Sequence, residues 1–225
     1  MLLHIEVENS WAWPLVVANL SVAGIALWAL ISTRLQRVAL TADAWPLGIM
    51  GLAQLALPHM AGGIVEGLSF YPLLTGLSAL MFGFRYSLLI ALMTQLLNVL
   101  AGLGHFDTLG LSIWATHLIP TLWILTFLAL AQRVWQRNLF VYVLVNGFFG
   151  AAFAVVFTQI FCVLSLMALG AFEWSYLSRY FLPFGLMMTF PEGFITGAFL
   201  TMLVLYRPEW LYTFRDSVYQ MSKGP

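Results

Sequence analysis

Long apolar runs recur along this chain, and the short connections between them hold almost every ionisable residue. A water-soluble domain carries about 25 % charged residues; this chain has 8 %, with 62 % hydrophobic. Lipid offers backbone groups no hydrogen-bond partner, so a chain of this kind must satisfy its backbone internally, and runs of about 20 apolar residues do so as helices. The sequence therefore predicts an all-α polytopic membrane helical bundle, with residues 1–225 as a single membrane domain. Net charge is zero, which points away from a nucleic-acid partner and leaves membrane lipid as the surrounding medium.

Seven spans are expected: residues 11–31, 44–57, 70–84, 86–103, 109–131, 139–172 and 180–206. The second and third are short for a ~30 Å hydrocarbon core, which suggests broken segments lining a cavity. The sixth is long and should tilt or extend beyond the bilayer. Arg85 marks a tight turn between the third and fourth spans, and Pro191-Glu192-Gly193 interrupts the seventh. The first run has no basic stretch before it and is followed by Arg34 and Arg37, a stop-transfer pattern rather than a cleaved signal. Cys162 is the single cysteine, so no disulfide forms within the chain.

The positive charges give an orientation. Of nine Lys and Arg residues, all but Arg179 fall in alternate connections, which the positive-inside rule assigns to the cytoplasm. The N-terminus is then outside and the C-terminus inside. Trp11, Trp13, Trp174, Tyr176, Trp210 and Tyr212 fall near the expected interfaces, where amphipathic rings are favoured.

On the opposite side lie His4, His59, His105 and Asp107, with Glu66 in the glycine-bearing segment 58–69. Imidazole and carboxylate together suit borderline divalent cations, although no ligand-spaced motif such as HxxxH or CxxC occurs. His4, His59, His105 and Asp107 are the candidate metal ligands at an outer mouth. Inside the spans, Glu192 is the one deep carboxylate, and Thr196 follows it by one turn. Burying a carboxylate there costs about 2.5 kcal/mol or more unless it is protonated or faces polar groups. Glu192 is either a group that bonds a neighbouring helix beside a kink or a gating group. Gly193 and Gly197 form a GxxxG step that lets a helix approach closely. Gln95 and Asn98 in the fourth span, and Thr116 and His117 a turn before Pro120 in the fifth, are inter-helix glue or part of a substrate pathway. No nucleophile motif accompanies the lone cysteine, and an enzyme is not expected.

Several stretches resemble the CbiM/NikM-like family, the membrane permeases of energy-coupling-factor transporters for cobalt and nickel. Phe190-Pro191-Glu192-Gly193-Phe194-Ile195-Thr196-Gly197 running to Arg207-Pro208-Glu209 is similar to the family's last helix. Met60-Ala61-Gly62-Gly63 and the stretch Gly76 to Gly83 resemble its glycine-rich outer segment and next span, and Gln95 with the loop through Gly110 resembles its fourth-to-fifth helix region. The start departs from the family pattern: Met-His-Ile is replaced by Met1-Leu2-Leu3-His4-Ile5, and the place of the family's second histidine holds Gly67 or Tyr71. The resemblance implies a bacterial cell membrane and uptake of cobalt or nickel as cargo, with no permanently bound cofactor. It also implies a transmembrane scaffold and cytoplasmic ATPases as partners, since the chain has no phosphate-binding loop of its own. Alternatives are a carrier of a small organic substrate on the same fold, a non-transporting membrane assembly protein and an intramembrane enzyme around Glu192 and His117.

The topology is testable by labelling single cysteines in intact cells, in a background where Cys162 is replaced. Cysteines placed in 58–69 and 104–108 should react with an impermeant maleimide. Trp135→Cys should react only after permeabilisation, and its labelling from outside would reverse the orientation.

Overall fold

The computed structural model describes residues 2–3, 13–32, 45–65, 68–135 and 138–214. Among these, helices α1 (Trp13–Ser32), α3 (Thr75–Leu100), α4 (Leu109–Val134), α5 (Val141–Ala168) and α6 (Trp174–Tyr206) are long and apolar enough to cross a membrane. The shorter α2 (Trp45–Ala56) continues as a 3-10 turn, Leu57–Met60, with Pro58 at its start. The bundle is helical, as expected, with one small addition. Strands β1 (Leu2–Leu3), β2 (Gly62–Val65) and β3 (Leu68–Phe70) form an antiparallel patch in the order β1-β3-β2. Leu2 stands opposite Ser69 and Leu3 opposite Leu68.

Expected spans one, five, six and seven correspond to α1, α4, α5 and α6. Span two is the twelve-residue α2. Spans three and four prove to be the two arms of α3, which folds back on itself at Gly83. Ser78 donates to Ser87 at 3.1 Å, whereas a straight helix would separate them by about 13 Å. Thr75 and Gln95 both touch His117, yet on a straight helix they would stand about 30 Å apart. The first arm, residues 75–82, is about 12 Å long and cannot cross the hydrocarbon by itself.

The turn sits at Gly83, two residues before the charge that marked it in the sequence, because only glycine tolerates the backbone found there. Its φ of 72° and ψ of −178° fall in a region closed to side-chain-bearing residues. The Tyr212 ring also lies 3.0 Å from where a Cβ would be. The segment after α6 closes this end of the molecule. Tyr212 N–H donates to the Met81 carbonyl at 2.8 Å, and the Thr213 hydroxyl donates to Leu80 at 2.7 Å. These carbonyls end the first arm and have no further helical turn to bond to. Tyr142 from α5 bonds the same threonine at 2.7 Å, and the buried Leu80, Met81, Tyr142, Leu211 and Phe214 pack around it.

Helix α6 begins at Trp174, inside the stretch 173–179 expected as a loop. Its interruption falls at Met188, one turn ahead of Pro191. A proline has no N–H to return to the carbonyl four residues earlier, so the break appears on that side. Gly193 and Gly197 do admit a neighbour. A Cβ on Gly193 would stand 2.8 Å from the Phe148 carbonyl of α5, and one on Gly197 3.4 Å from the Phe148 Cβ. Just ahead of α5, the Asn138 side chain accepts the Val141 N–H at 2.8 Å.

Gly83→Ala is expected to destabilise the detergent-solubilised protein by about 2–3 kcal/mol, read as a fall in thermal midpoint. An unchanged midpoint would show that the fold-back does not depend on the glycine backbone.

Candidate functional site

Groups from α4 and α6 meet at three residues, Leu73, Leu74 and Thr75, where β3 passes into α3. Their N–H groups precede the first helical turn and have no intrahelical acceptor. Glu192 reaches them from α6: Leu73 N–H donates to Oε2 at 2.7 Å and Leu74 N–H to Oε1 at 2.9 Å. Glu192 is 4 % exposed. A carboxylate at a helix start is favoured both by the bonds and by the helix dipole. This is the bonding expected of a residue that ties a neighbouring element beside a kink.

The second contact comes from α4, whose turn Trp114–Leu118 is widened to π geometry. Pro120 has no N–H for the Thr116 carbonyl, and the Thr75 hydroxyl donates to that carbonyl instead, at 2.8 Å. Counting donors fixes the rest. The Thr116 hydroxyl gives its proton to the Ser112 carbonyl at 2.7 Å. The Gln95 amide donates to Thr116 Oγ1 at 3.1 Å and to His117 Nε2 at 3.3 Å. Thr75 has already spent its proton, so its contact of 3.4 Å with His117 Nδ1 requires Nδ1–H to donate. His117 is thus held as the Nδ1–H tautomer with its Nε2 lone pair turned to Gln95.

Tyr71 lies just ahead of this cluster. It is buried, and Gln95 is its hydrogen-bond partner. A cavity of about 20 Å³ is lined by Tyr71 and Leu73, by Thr158 and Gln159 of α5 and by Glu192 of α6. It has room for about one water-sized particle. Thr158 Oγ1 and Gln159 Oε1 are buried beside it without a protein partner.

Of the pathway residues singled out in the sequence, Gln95 and His117 are in direct contact, and Glu192 joins them through Leu73–Thr75. Asn98 and Thr196 are buried, and Asn98 Nδ2, Asn98 Oδ1 and Thr196 Oγ1 have no protein partner. Glu66 and His4 lie outside the described residues. His59 is exposed, with Nδ1 hydrogen-bonded to the Leu55 carbonyl at 3.0 Å. His105 and Asp107 are exposed on the α3–α4 connection. Among the described residues, no three His, Cys, Asp or Glu side chains come together as a metal cluster.

Sequence reasoning passed over Thr75, Thr158 and Gln159. It also passed over Asn19 of α1, which accepts the Gly110 N–H at 2.7 Å and donates to the Asp107 carbonyl at 2.8 Å. Lone polar residues in apolar helices carried the only available signal, and their partners lie far away in sequence.

Five helices fit to cross a membrane, one of them folded back on itself around a buried polar cluster, define a multi-pass membrane protein. The chain belongs to the CbiM family, described as the cobalt uptake substrate-specific transmembrane region, whose profile matches residues 7–210. The matched stretch starts after His4. No individual curated protein matches the chain.

Thr75→Val keeps the side-chain shape but removes the donor to the Thr116 carbonyl and the acceptor for His117. It should cost about 1–2 kcal/mol of stability, measured by thermal unfolding in detergent. A neutral result would mean that water replaces both bonds.

Proposed function

We propose that this protein is the substrate-binding membrane component of a transition-metal uptake system of the energy-coupling-factor type, taking cobalt or nickel as cargo. Its N-terminus would be outside and its C-terminus in the cytoplasm. The observation that carries the reading is the family match along nearly the whole chain. The strand patch supports it: Leu2–Leu3, directly ahead of His4, pair with Leu68–Ser69, which follow Glu66. Backbone pairing thus joins residues 2–3 to residues 68–69. His4, His59, His105 and Asp107 are the proposed ligands, in keeping with the preference of borderline cations for imidazole and carboxylate. Release inward would need a transmembrane scaffold and cytoplasmic ATPases, because the chain holds no phosphate-binding loop.

Titration of the purified protein with CoCl₂ and NiCl₂ tests the reading. His4→Ala and His59→Ala should each weaken binding strongly, because each removes an inner-sphere bond, and His105→Ala less so. Binding should fall in acid, since an imidazole must be neutral to ligate. A His4/His59 double variant that binds as wild type does would remove both residues from the site. Wild-type protein that binds neither ion would favour a small organic substrate or an assembly role.

A further inference from the structure

Leu74 is the one non-glycine residue with positive φ among the described residues, at 52°. A leucine enters the left-handed region only where its surroundings force it to, since its Cβ crowds the following carbonyl. Here the forcing groups are visible. Glu192 of α6 holds the N–H of Leu74 and of the residue before it. Thr75, the residue after it, is held by α4 through the Thr116 carbonyl and the His117 ring. These three residues join β3, with β2 and β1 paired to it, to the folded-back arm; β2 also continues from the Leu57–Met60 turn, and Phe70 of β3 packs on Phe181 of α6.

We propose that Leu73–Leu74–Thr75 is a strained hinge and that Glu192 is a positioning residue for the outer segment, acting through two peptide N–H groups rather than by touching cargo. With both carboxylate oxygens engaged, Leu74 stays in the left-handed region and the strand patch is fixed against the bundle. When that hold is lost, Leu74 relaxes toward negative φ. A rotation of that size between β3 and α3 changes how the strands are set against the first arm, as expected of an element-terminal residue that absorbs a large backbone change. Glutamine cannot replace the carboxylate here, since it offers one acceptor oxygen and turns an NH₂ toward the second N–H. Thr75 stays bonded to α4 in either state, so the rotation is confined to Leu74.

The test is a double-mutant cycle between Glu192→Gln and Leu74→Gly, because glycine adopts positive φ without strain and no longer needs the carboxylate to hold it there. Glu192→Gln should lower the thermal midpoint in detergent by about 3–8 °C. Leu74→Gly alone should lower it as well, since the leucine packs against the buried core. Combined, the two should cost clearly less than the sum of the single losses. The proposal rests on the transport reading only for its second readout. There, CoCl₂ affinity should fall about tenfold in Glu192→Gln and return toward wild type in the double variant.

Additive thermal losses, or a double variant that binds Co²⁺ no better than Glu192→Gln, would overturn the hinge. If wild type binds no Co²⁺, the cobalt reading fails while the thermal cycle still judges the hinge. Should Glu192→Gln fail to fold, recovery of a monodisperse protein in the double variant supports the hinge, and continued aggregation refutes it.

Discussion

The carboxylate of Glu192 against the peptide N–H groups of Leu73 and Leu74 is the contact on which the rest of the architecture depends. A helix that starts inside a bilayer exposes N–H groups that water cannot reach, and each one left unmade costs several kcal/mol. The first arm of α3 likewise starts among buried residues, with nothing in its own sequence to cap it. The residue ahead of it is a leucine, with no side-chain acceptor to offer. The acceptors arrive from a helix 119 residues further along. In return, the helix start gives a buried carboxylate the two donors that offset its desolvation.

The other end of the same arm is completed in the same borrowed way. Its last carbonyls, on Leu80 and Met81, accept hydrogen bonds from Thr213 and Tyr212, and Gly83 turns the chain beneath the Tyr212 ring. An arm of about 12 Å thus has both termini satisfied by tertiary partners, one from α6 and one from the segment that follows it. The strand patch joins one end of α3's first arm, and the fold-back forms the other. A disturbance at Glu192 or at Tyr212 therefore bears on the same short element.

Helix α4 supplies the lateral support, and proline chemistry explains how. Pro120 leaves the Thr116 carbonyl without its usual helical donor, and the adjoining π turn carries His117 into contact with both arms of α3. Every proton in the Thr75–Thr116–Gln95–His117 set is assigned by donor counting. A network so fully satisfied is rigid and specifies one arrangement. Thr158 and Gln159, by contrast, lie beside the small cavity with oxygens that lack a protein partner. Order at Thr75 and spare polar capacity next to Glu192 stand side by side.

Much of the fold was legible in the sequence. Charge sparsity alone required membrane-crossing helices. The shortness of residues 70–84 suggested a broken segment, and Gly193 and Gly197 announced the close approach of α5 that the structure shows. These are properties of length, composition and local stereochemistry, which lipid enforces on each segment separately. The two arms of α3 being one element hinged at Gly83, the strand patch, and α6 beginning at Trp174 rather than after Arg179 were settled only by tertiary structure. So were the partners of the buried polar residues: Glu192, Gln95 and His117 stood out as costly in lipid, but which donor or acceptor meets each one depends on how distant helices are placed. A sequence states that a buried polar group must be satisfied. Only the packing of the bundle determines by whom.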